Sequence, residues 1–139
     1  MASFTKFNNF AEAMVEGMNL GSDTFKVYLS NTAPTATNTQ FGSPPEISAA
    51  NGYVACGITV TIAASSQSSG TYKLDPTGCT PIFKASGGTV GPFRYVILYD
   101  STVSGFLVGA WDYGSSISLN DTETLTVNLS AANGILQVS

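Results

Sequence analysis

The chain has 139 residues, the length of one domain, and 43% of them are hydrophobic, which is enough to build a core. Only 10% are charged, and the five basic residues stand singly, so the cationic clusters that neutralise nucleic-acid phosphates are missing. No stretch approaches the ~20 consecutive apolar residues of a membrane span. We therefore predict one domain over residues 1–139 that neither binds nucleic acid directly nor enters a membrane.

The chain opens with an amphipathic segment. Apolar side chains recur there at spacings of three and four and form one stripe, which contains Phe4, Phe7, Phe10, Ala11, Met14, Val15 and Met18. Ser3 is a candidate N-cap, and Gly17 and Gly21 are candidate stop signals. We predict a helix over residues 1–20 whose stripe packs on the chain's own sheet. The alternative is a helix that docks on a neighbouring subunit.

From residue 21 to residue 139 the periodicity changes to two, as in β-strands. The clearest alternating runs are TFKVYLS, YVACGITVTIA, GTYKL, TPIFKA, GPFRYVILYD, GFLVGAWDYG, TLTVNLS and ILQVS. Within the second run Val54, Cys56 and Ile58 share a face, so Cys56 is interpreted as a small core residue. Short strands separated by Gly, Asn and Ser turns predict an all-β fold, an antiparallel β-sandwich or jelly roll with one N-terminal helix.

A long segment without periodicity separates the first two predicted strands. Residues 31–52 contain three of the six prolines, and a loop longer than ~12–15 residues in a compact domain is usually functional or disordered. Two interpretations stay open with equal weight. The segment either reaches a partner as an extended arm or forms a slack surface loop.

The runs 92–100 and 105–113 are the longest and are predicted to form a hairpin. A register that sets Tyr99 opposite Leu107 also sets Arg94, the only arginine, opposite Asp112, giving a cross-strand ion pair. The same register builds an aromatic ladder in which Tyr95 faces Trp111. A slip by one residue would instead place Arg94 against Trp111 in a cation–π contact. In either register Arg94 is predicted to be part of the scaffold.

Both faces of this hairpin are apolar, whereas a strand buried on one side alternates cleanly. Something must therefore cover each face. One cover is predicted to be a second sheet, and the other is either the amphipathic helix or an adjacent subunit.

The residue types in the chain exclude most kinds of catalytic site. There is no histidine, so nucleophiles activated by histidine are excluded, and no phosphate-binding glycine loop is present. The remaining options are two carboxylate pairs, Asp100 with Asp112 for hydrolysis and Asp121 with Glu123 for calcium. Nothing beyond the acids themselves supports hydrolysis, and solvation of a turn is the favoured interpretation of Asp121 and Glu123. We expect no enzyme and no cofactor, and assign no catalytic, cofactor-binding or metal residue.

Cysteine usage and the N-terminus bear on the compartment. Cys56 and Cys79 are too few for a disulfide framework, and two free thiols are favoured over one bridge in a reducing cytoplasm. The first twenty residues lack the continuous apolar core of a secretory signal. We therefore expect a protein that is made and kept in the cytoplasm of the cell that produces it.

Several stretches together resemble small virion proteins of tailed bacteriophages, encoded among head and head–tail genes. These stretches, which cover nearly the whole chain, are GSDTFKVYLSNTAP, EISAANGY, SGTYKL, SGGTVGPFRYVILYD, VGAWDYGSS and TLTVNLSAANGILQVS. The strongest markers are D-T-x-K-V, N-G-Y, R-Y-x-x-L-Y and the terminal A-x-N-G-I-L. They are strand and turn signatures rather than a catalytic motif. Cys56 departs from the family pattern G-Y-x-x-G-G, in which a glycine is expected.

The resemblance implies a structural role, foremost a capsid decoration or cement protein on the virion's capsid surface. Its implied partner is the major capsid protein, with self-association into a dimer or trimer and synthesis in the bacterial host cytoplasm. A tail or head–tail connector component is the near alternative. A host-surface glycan-binding module is the alternative from another class, and it requires exposed aromatic platforms at Trp111, Tyr113, Tyr72 or Tyr53.

Overall fold

A computed structural model describes residues 3–62, 64–75, 82–127 and 136–138. The chain is mostly β, as predicted, with antiparallel pairing and one short helix. No helix in those ranges is long and apolar enough to cross a membrane. In chain order the elements are β1 Ser3–Lys6, α1 Asn9–Glu16, β2 Phe25–Ser30, β3 Ile58–Val60, β4 Ala64–Ser68, β5 Thr71–Asp75, β6 Ile82–Lys84, β7 Val90–Asp100, β8 Leu107–Leu119, β9 Thr124–Thr126 and β10 Leu136–Val138.

The strands form three sheets. The largest has five strands in the order β1-β8-β7-β2-β3, so the β7–β8 hairpin lies near its centre. A three-stranded sheet has the order β10-β5-β4, and β6 pairs with β9 in a two-stranded sheet. Every pairing is antiparallel.

The predicted helix over residues 1–20 is wrong at its beginning. Ser3–Lys6 is a strand that pairs with β8, and the helix runs only from Asn9 to Glu16. Its buried residues are Phe10 and Ala13, whereas Val15 of the predicted stripe is 79% exposed. Four residues with alternating polarity satisfy a strand and a helix turn equally well. The exposed edge of β8 supplies ladder hydrogen bonds that decide for the strand.

The β7–β8 hairpin forms as predicted, but its register agrees with the prediction only beside the turn that joins the two strands. Tyr99 pairs with Leu107, as expected, and a bulge then shifts the pairing by one, so that Leu98 pairs with Gly109. The predicted aromatic ladder is wrong, because Val96, not Tyr95, lies opposite Trp111. Bulges insert one residue on one strand and cannot be read from period-two alternation.

One face of the hairpin contributes to the main core. Val96 and Leu98 from β7 pack there with β2 side chains of the same face, as the alternation predicted. Phe93 lies in the same core, so its predicted place on the face of Tyr95 is wrong, because the register shift between Phe93 and Tyr95 breaks the alternation. The other two sheets and the helix cover this face and bring in Leu74 and Phe83. Phe10 also lies in this cluster, so the helix packs on its own chain, which was the favoured interpretation.

The long loop and the segment before α1 cover the other face. This second core contains Phe7, Tyr28, Tyr95, Ile97, Tyr99, Leu107 and Ala110, with Phe41 packed against it. The Phe41 ring stacks on Tyr99 at 4.8 Å and meets Tyr28 edge-on at 4.9 Å. The expectation that the helix covers this face is therefore wrong, and cover by an adjacent subunit stays a prediction.

The loop between β2 and β3 is hydrogen-bonded to the rest of the fold at several points, so the interpretation of residues 31–52 as a slack surface loop is wrong, whereas contact with a partner stays a prediction. The Phe41 N–H donates to Gly105 O at 2.7 Å, and the Ile47 N–H donates to Leu29 O at 3.0 Å. The Tyr28 hydroxyl donates to the carbonyl of Pro44 at 2.8 Å. A loop held by such buried bonds is part of the fold rather than a free arm.

The predicted strand over YVACGITVTIA begins only at Ile58. Val54 is 69% exposed, and Cys56 is exposed in a turn with a φ of 73°, so the interpretation of Cys56 as a core residue is wrong. Glycine, which the resemblance leads us to expect at position 56, adopts this left-handed backbone without strain. Gly57 follows with a φ of 80° and lies directly against the carbonyl oxygen of Val27. Cys79 lies outside the described residues.

Substitutions at the two neighbouring turn positions are expected to act in opposite directions. Cys56→Gly is expected to raise the free energy of unfolding by about 0.5–1 kcal/mol, because it removes left-handed strain from an exposed side chain. Gly57→Ala is expected to lower it by more than about 2 kcal/mol, since its Cβ would meet the Val27 carbonyl. Urea unfolding at equilibrium measures both. Equal effects of the same sign would contradict this account of the turn.

Candidate functional site

The only arginine sits at an irregularity of the central hairpin. Phe93 pairs with Ile117 and Tyr95 pairs with Asp112, so Arg94 lies where three extra residues of β8 interrupt the regular pairing. Its Nε and Nη2 donate to the two carboxylate oxygens of Asp112 at 2.7 and 3.0 Å. The predicted ion pair is therefore confirmed, although Asp112 pairs across the ladder with Tyr95 rather than with Arg94.

The pair is oriented by its neighbours. The guanidinium carbon of Arg94 lies 5.4 Å from the centre of the Tyr95 ring, a cation–π contact with a residue other than the Trp111 considered from the sequence. The Gly114 N–H donates to Asp112 Oδ1 at 2.7 Å. Arg94 foremost, and then the Gly114 N–H, hold the pKa of the Asp112 carboxyl below its usual range. Arg94 is thus a scaffold residue, as predicted, with its side chain 38% exposed.

A cleft opens beside this pair, on the face covered by the long loop. Its volume is about 240 Å³, and its walls come from β1, the loop and the hairpin: Thr5, Phe7, Ala33, Pro34, Thr35, Tyr95, Ala110 and Asp112. Pockets for drug-sized ligands span roughly 300–1,000 Å³. A mostly apolar cleft of this size suits one inserted side chain of a protein partner better than an enclosed small-molecule substrate.

The carboxylates considered for hydrolysis are not brought together. Asp112 lies opposite Tyr95, and Asp100 ends β7 five residues further along. At the ~3.4 Å rise of an antiparallel strand, the separation is about 17 Å, beyond the ~10 Å that two glycosidase carboxylates span. Asp100 is instead buried, with Oδ1 accepting the N–H groups of Thr102 and Val103.

The second carboxylate pair serves turns. Asp121 Oδ1 accepts the Gly87 N–H at 2.8 Å, and Glu123 Oε2 accepts the Asn120 N–H at 2.7 Å. Within the described ranges, no three metal-ligating side chains of the His, Cys, Asp or Glu type come together. Asp121 and Glu123 therefore act here as hydrogen-bond acceptors of the protein's own backbone.

The aromatic side chains proposed as glycan platforms face inwards. Tyr53 is 4% exposed, so its assignment as a platform is wrong. Trp111, Tyr113 and Tyr72 are partly buried and pack against the main core. The Phe4 ring lies 4.9 Å from that of Trp111 and covers part of it. The ring faces of these aromatic side chains pack against other side chains of the protein, so a smaller area of each ring is left for stacking on a sugar.

A polar cluster around Glu46 was not found from the sequence. Glu46 Oε2 accepts the Tyr53 hydroxyl at 2.9 Å and the Cys56 N–H at 3.0 Å. The Tyr53 oxygen in turn accepts the Leu29 N–H, and the Tyr99 hydroxyl donates to Cys56 O at 2.6 Å. Burial, with the Glu46 carboxylate adding to it, raises the pKa of the Tyr53 phenol well above its usual value. The cluster ties the loop to β2 and β7.

Known proteins give no further identification. The chain matches no protein-family model, no curated protein and no solved structure.

The Arg94–Asp112 pair is expected to contribute little to stability. In a double-mutant cycle with Arg94→Gln and Asp112→Asn, we expect a small coupling that shrinks in salt, because both side chains are about one-third exposed. Chemical unfolding of the four proteins at low and high salt measures it. A salt-independent coupling of several kcal/mol would show that the pair is shielded from solvent.

Glu46 is expected to matter more than its partial exposure implies. Glu46→Ala is expected to lower the free energy of unfolding by about 1–3 kcal/mol, because the Tyr53 hydroxyl and the Cys56 N–H lose their acceptor. Glu46→Gln keeps an acceptor and is the matched control, with a smaller loss. If both variants unfold like the parent chain, the cluster does not hold the loop.

Proposed function

We propose that this chain is a structural protein of a tailed-phage virion, most specifically a capsid decoration or cement protein that binds between major capsid subunits. The observation that carries the proposal is the resemblance of its strand and turn signatures to small phage head proteins. Under this proposal the chain has no catalytic role, needs no cofactor and resides on the capsid surface.

The positions that carry the resemblance support a mechanical role. In the N-G-Y marker, the Asn51 side chain donates to Thr89 O, and Tyr53 bridges Glu46 and β2. In the R-Y-x-x-L-Y marker, Arg94 pairs with Asp112 and Tyr99 holds the turn at residue 56. These motif side chains join one part of the scaffold to another. The terminal A-x-N-G-I-L marker lies almost entirely outside the described residues.

The use of charge points the same way. Among the described residues, at least six of the acidic side chains accept hydrogen bonds from the chain itself: Asp23, Glu46, Asp100, Asp112, Asp121 and Glu123. These carboxylates therefore hold turns and loops of the chain in place through hydrogen bonds. An exterior built mainly from uncharged polar groups suits many modest contacts that symmetry repeats on a lattice.

The finer architecture belongs to the same proposal. We infer a β-sandwich of the jelly-roll kind, in which the five-stranded sheet faces the two smaller sheets across the main core. Its support is that Leu74 of β5 and Phe83 of β6 share one apolar cluster with Phe25 and Phe93 of the large sheet. Folds of this class serve as decoration proteins in the family that the chain resembles.

Self-association into a dimer or trimer is also proposed. β1 is the edge of the five-stranded sheet, and Phe4 on this strand is 44% exposed. An edge strand with an exposed aromatic side chain is a template for pairing with another copy. A tail or connector location remains the neighbouring proposal, and it differs in where the copies sit rather than in their chemistry.

Capsid stability tests the proposed function. Particles of the encoding phage that lack this chain are expected to release DNA at a lower temperature than complete particles, and purified chain is expected to restore the difference. Dye-detected DNA release during heating measures it, with electron microscopy to locate the copies. Unchanged release together with no density on the capsid would overturn the proposal, and density at the tail would move the chain to the neighbouring location.

A cleft variant sharpens this experiment. Ala33 is an exposed loop residue on the wall of the cleft, so Ala33→Trp is expected to block insertion of a capsid side chain and to abolish restoration. Ala11→Trp makes the same change at an exposed position of α1 and is expected to leave restoration intact. Equal restoration by both variants would exclude the cleft as the capsid contact.

A further inference from the structure

The end of β7 carries a buried carboxyl group with one unused oxygen. Asp100 is 0% exposed, and its Oδ1 accepts the N–H groups of Thr102 at 2.8 Å and Val103 at 3.2 Å. Its Oδ2 is buried as well and receives no hydrogen bond from any described N–H or hydroxyl donor. A buried, unsatisfied carboxylate oxygen is costly unless a proton or a cation accompanies it.

A second carboxyl group, that of Asp23, lies beside Asp100. Phe25 pairs with Asp100, so the residues just before β2 run alongside those just after β7. The Ser101 N–H donates to Thr24 O at 2.9 Å, and the Thr24 N–H donates to Thr102 Oγ1 at 2.8 Å. This pairing brings the Asp23 side chain within hydrogen-bonding reach of Asp100. Two carboxyl groups can hydrogen-bond only if one of them carries a proton.

The surroundings favour the protonated form. Burial foremost, and then the hydrogen bond with Asp23, raise the pKa of Asp100 to about 6, against the opposing effect of the two backbone N–H groups. Asp23 is anchored in turn, because its Oδ2 accepts the Asn19 N–H at 2.7 Å. Asp23 is the charged group that acts on Asp100. Thr24 before β2, Phe41 of the loop and Gly17 at the end of α1 also contact this turn and carry no charge.

The turn next to Asp100 joins several parts of the fold. Gly105 O accepts the Phe41 N–H at 2.7 Å, and the Leu107 N–H donates to Thr39 O at 3.0 Å. These two hydrogen bonds attach the long loop to the turn and its neighbour. Val103 and Phe106 lie within 4 Å of the space beside Gly17, where α1 ends. A change in the Asp23–Asp100 contact therefore reaches both the helix end and the cover of the second core.

We propose that Asp23 and Asp100 share one proton and form a pH-sensitive latch, which fastens the turn at residues 101–106 when protonated and loosens it, with the attached loop, when the proton leaves. When Asp100 loses its proton, its hydrogen bond to Asp23 is lost and a buried carboxylate oxygen is left charged, which weakens the attachment of the turn. This inference does not rest on the proposed function.

The direction in which pH changes the stability follows from the linkage between proton binding and folding. The folded chain holds this proton more tightly than the unfolded chain, in which an aspartate titrates near 4. The free energy of unfolding contributed by the pair is therefore complete at low pH and is lost as the pH rises from about 4 to about 7. The corresponding change in the unfolding equilibrium constant is roughly a hundredfold.

Unfolding of the full chain by urea across pH 4 to 8, with EDTA present, tests the latch. Asp100→Asn places a permanent hydrogen-bond donor where the shared proton lies. The urea midpoint of this variant is therefore expected to match that of the parent chain at pH 4 and to exceed it at pH 7.5. Hydrogen exchange at the Leu107 amide localises the effect, with protection lost at pH 7.5 in the parent and kept in Asp100→Asn. Parallel pH profiles for the two proteins would overturn the proposal.

Two further variants and one addition complete the test. Asp23→Asn supplies the donor from the other side and is expected to remove the pH step as well. Asp121→Asn removes an exposed carboxylate with the same change of charge and is expected to keep the step. If millimolar Ca²⁺ stabilises the parent at pH 7.5 and not Asp100→Asn, the site binds a cation and the shared-proton interpretation is overturned.

Discussion

A strand that is apolar on both faces must be covered twice, and the fold of this chain is organised around that requirement. β7 contributes Phe93, Val96 and Leu98 to one core and Tyr95, Ile97 and Tyr99 to another. The smaller sheets and the helix cover the first set. A loop with no regular structure over most of its length covers the second, together with Phe7.

Using a loop as a cover creates a problem of backbone hydrogen bonds, because a loop against a core has no ladder to satisfy its polar groups. Tyrosine hydroxyls supply several hydrogen bonds to the loop here. Tyr28, Tyr53 and Tyr99 each place an apolar ring in a core and a hydroxyl on the loop: on Pro44 O, on Glu46 and on Cys56 O. Aromatic side chains with a polar tip suit such a boundary, where one end is dry and the other needs a partner.

The sequence predicted what local periodicity and direct cross-strand chemistry can encode. The faces of β2, the β7–β8 hairpin and the Arg94–Asp112 pair followed from alternation and opposite charge. The prediction failed where tertiary contacts decide: Phe4 joins a strand because β8 offers a free edge. The role of the long loop was also hidden, since a single aromatic such as Phe41 carries no period. Cys56 was a partial exception, because the missing family glycine marked the turn whose backbone proved to be left-handed.

The double cover changes the physical basis for the proposed function. Apolar strand faces are not, by themselves, reasons for this chain to associate, since its own loop seals them. Under the proposed function, association would use features that stay outside, such as the β1 edge and the cleft beside Arg94. A self-contained scaffold with few free charges is still suited to a role in which many copies bind a repeating surface.

Hydrogen exchange of the dilute chain tests the internal cover most directly, by comparing the Ile47 amide of the loop with the Val96 amide of β7. The Ile47 N–H bonds to Leu29 O, so we predict strong protection of both amides that does not change with protein concentration. Rapid exchange at Ile47, combined with protection at Val96 that grows with concentration, would show that another copy covers the second face and would contradict this account.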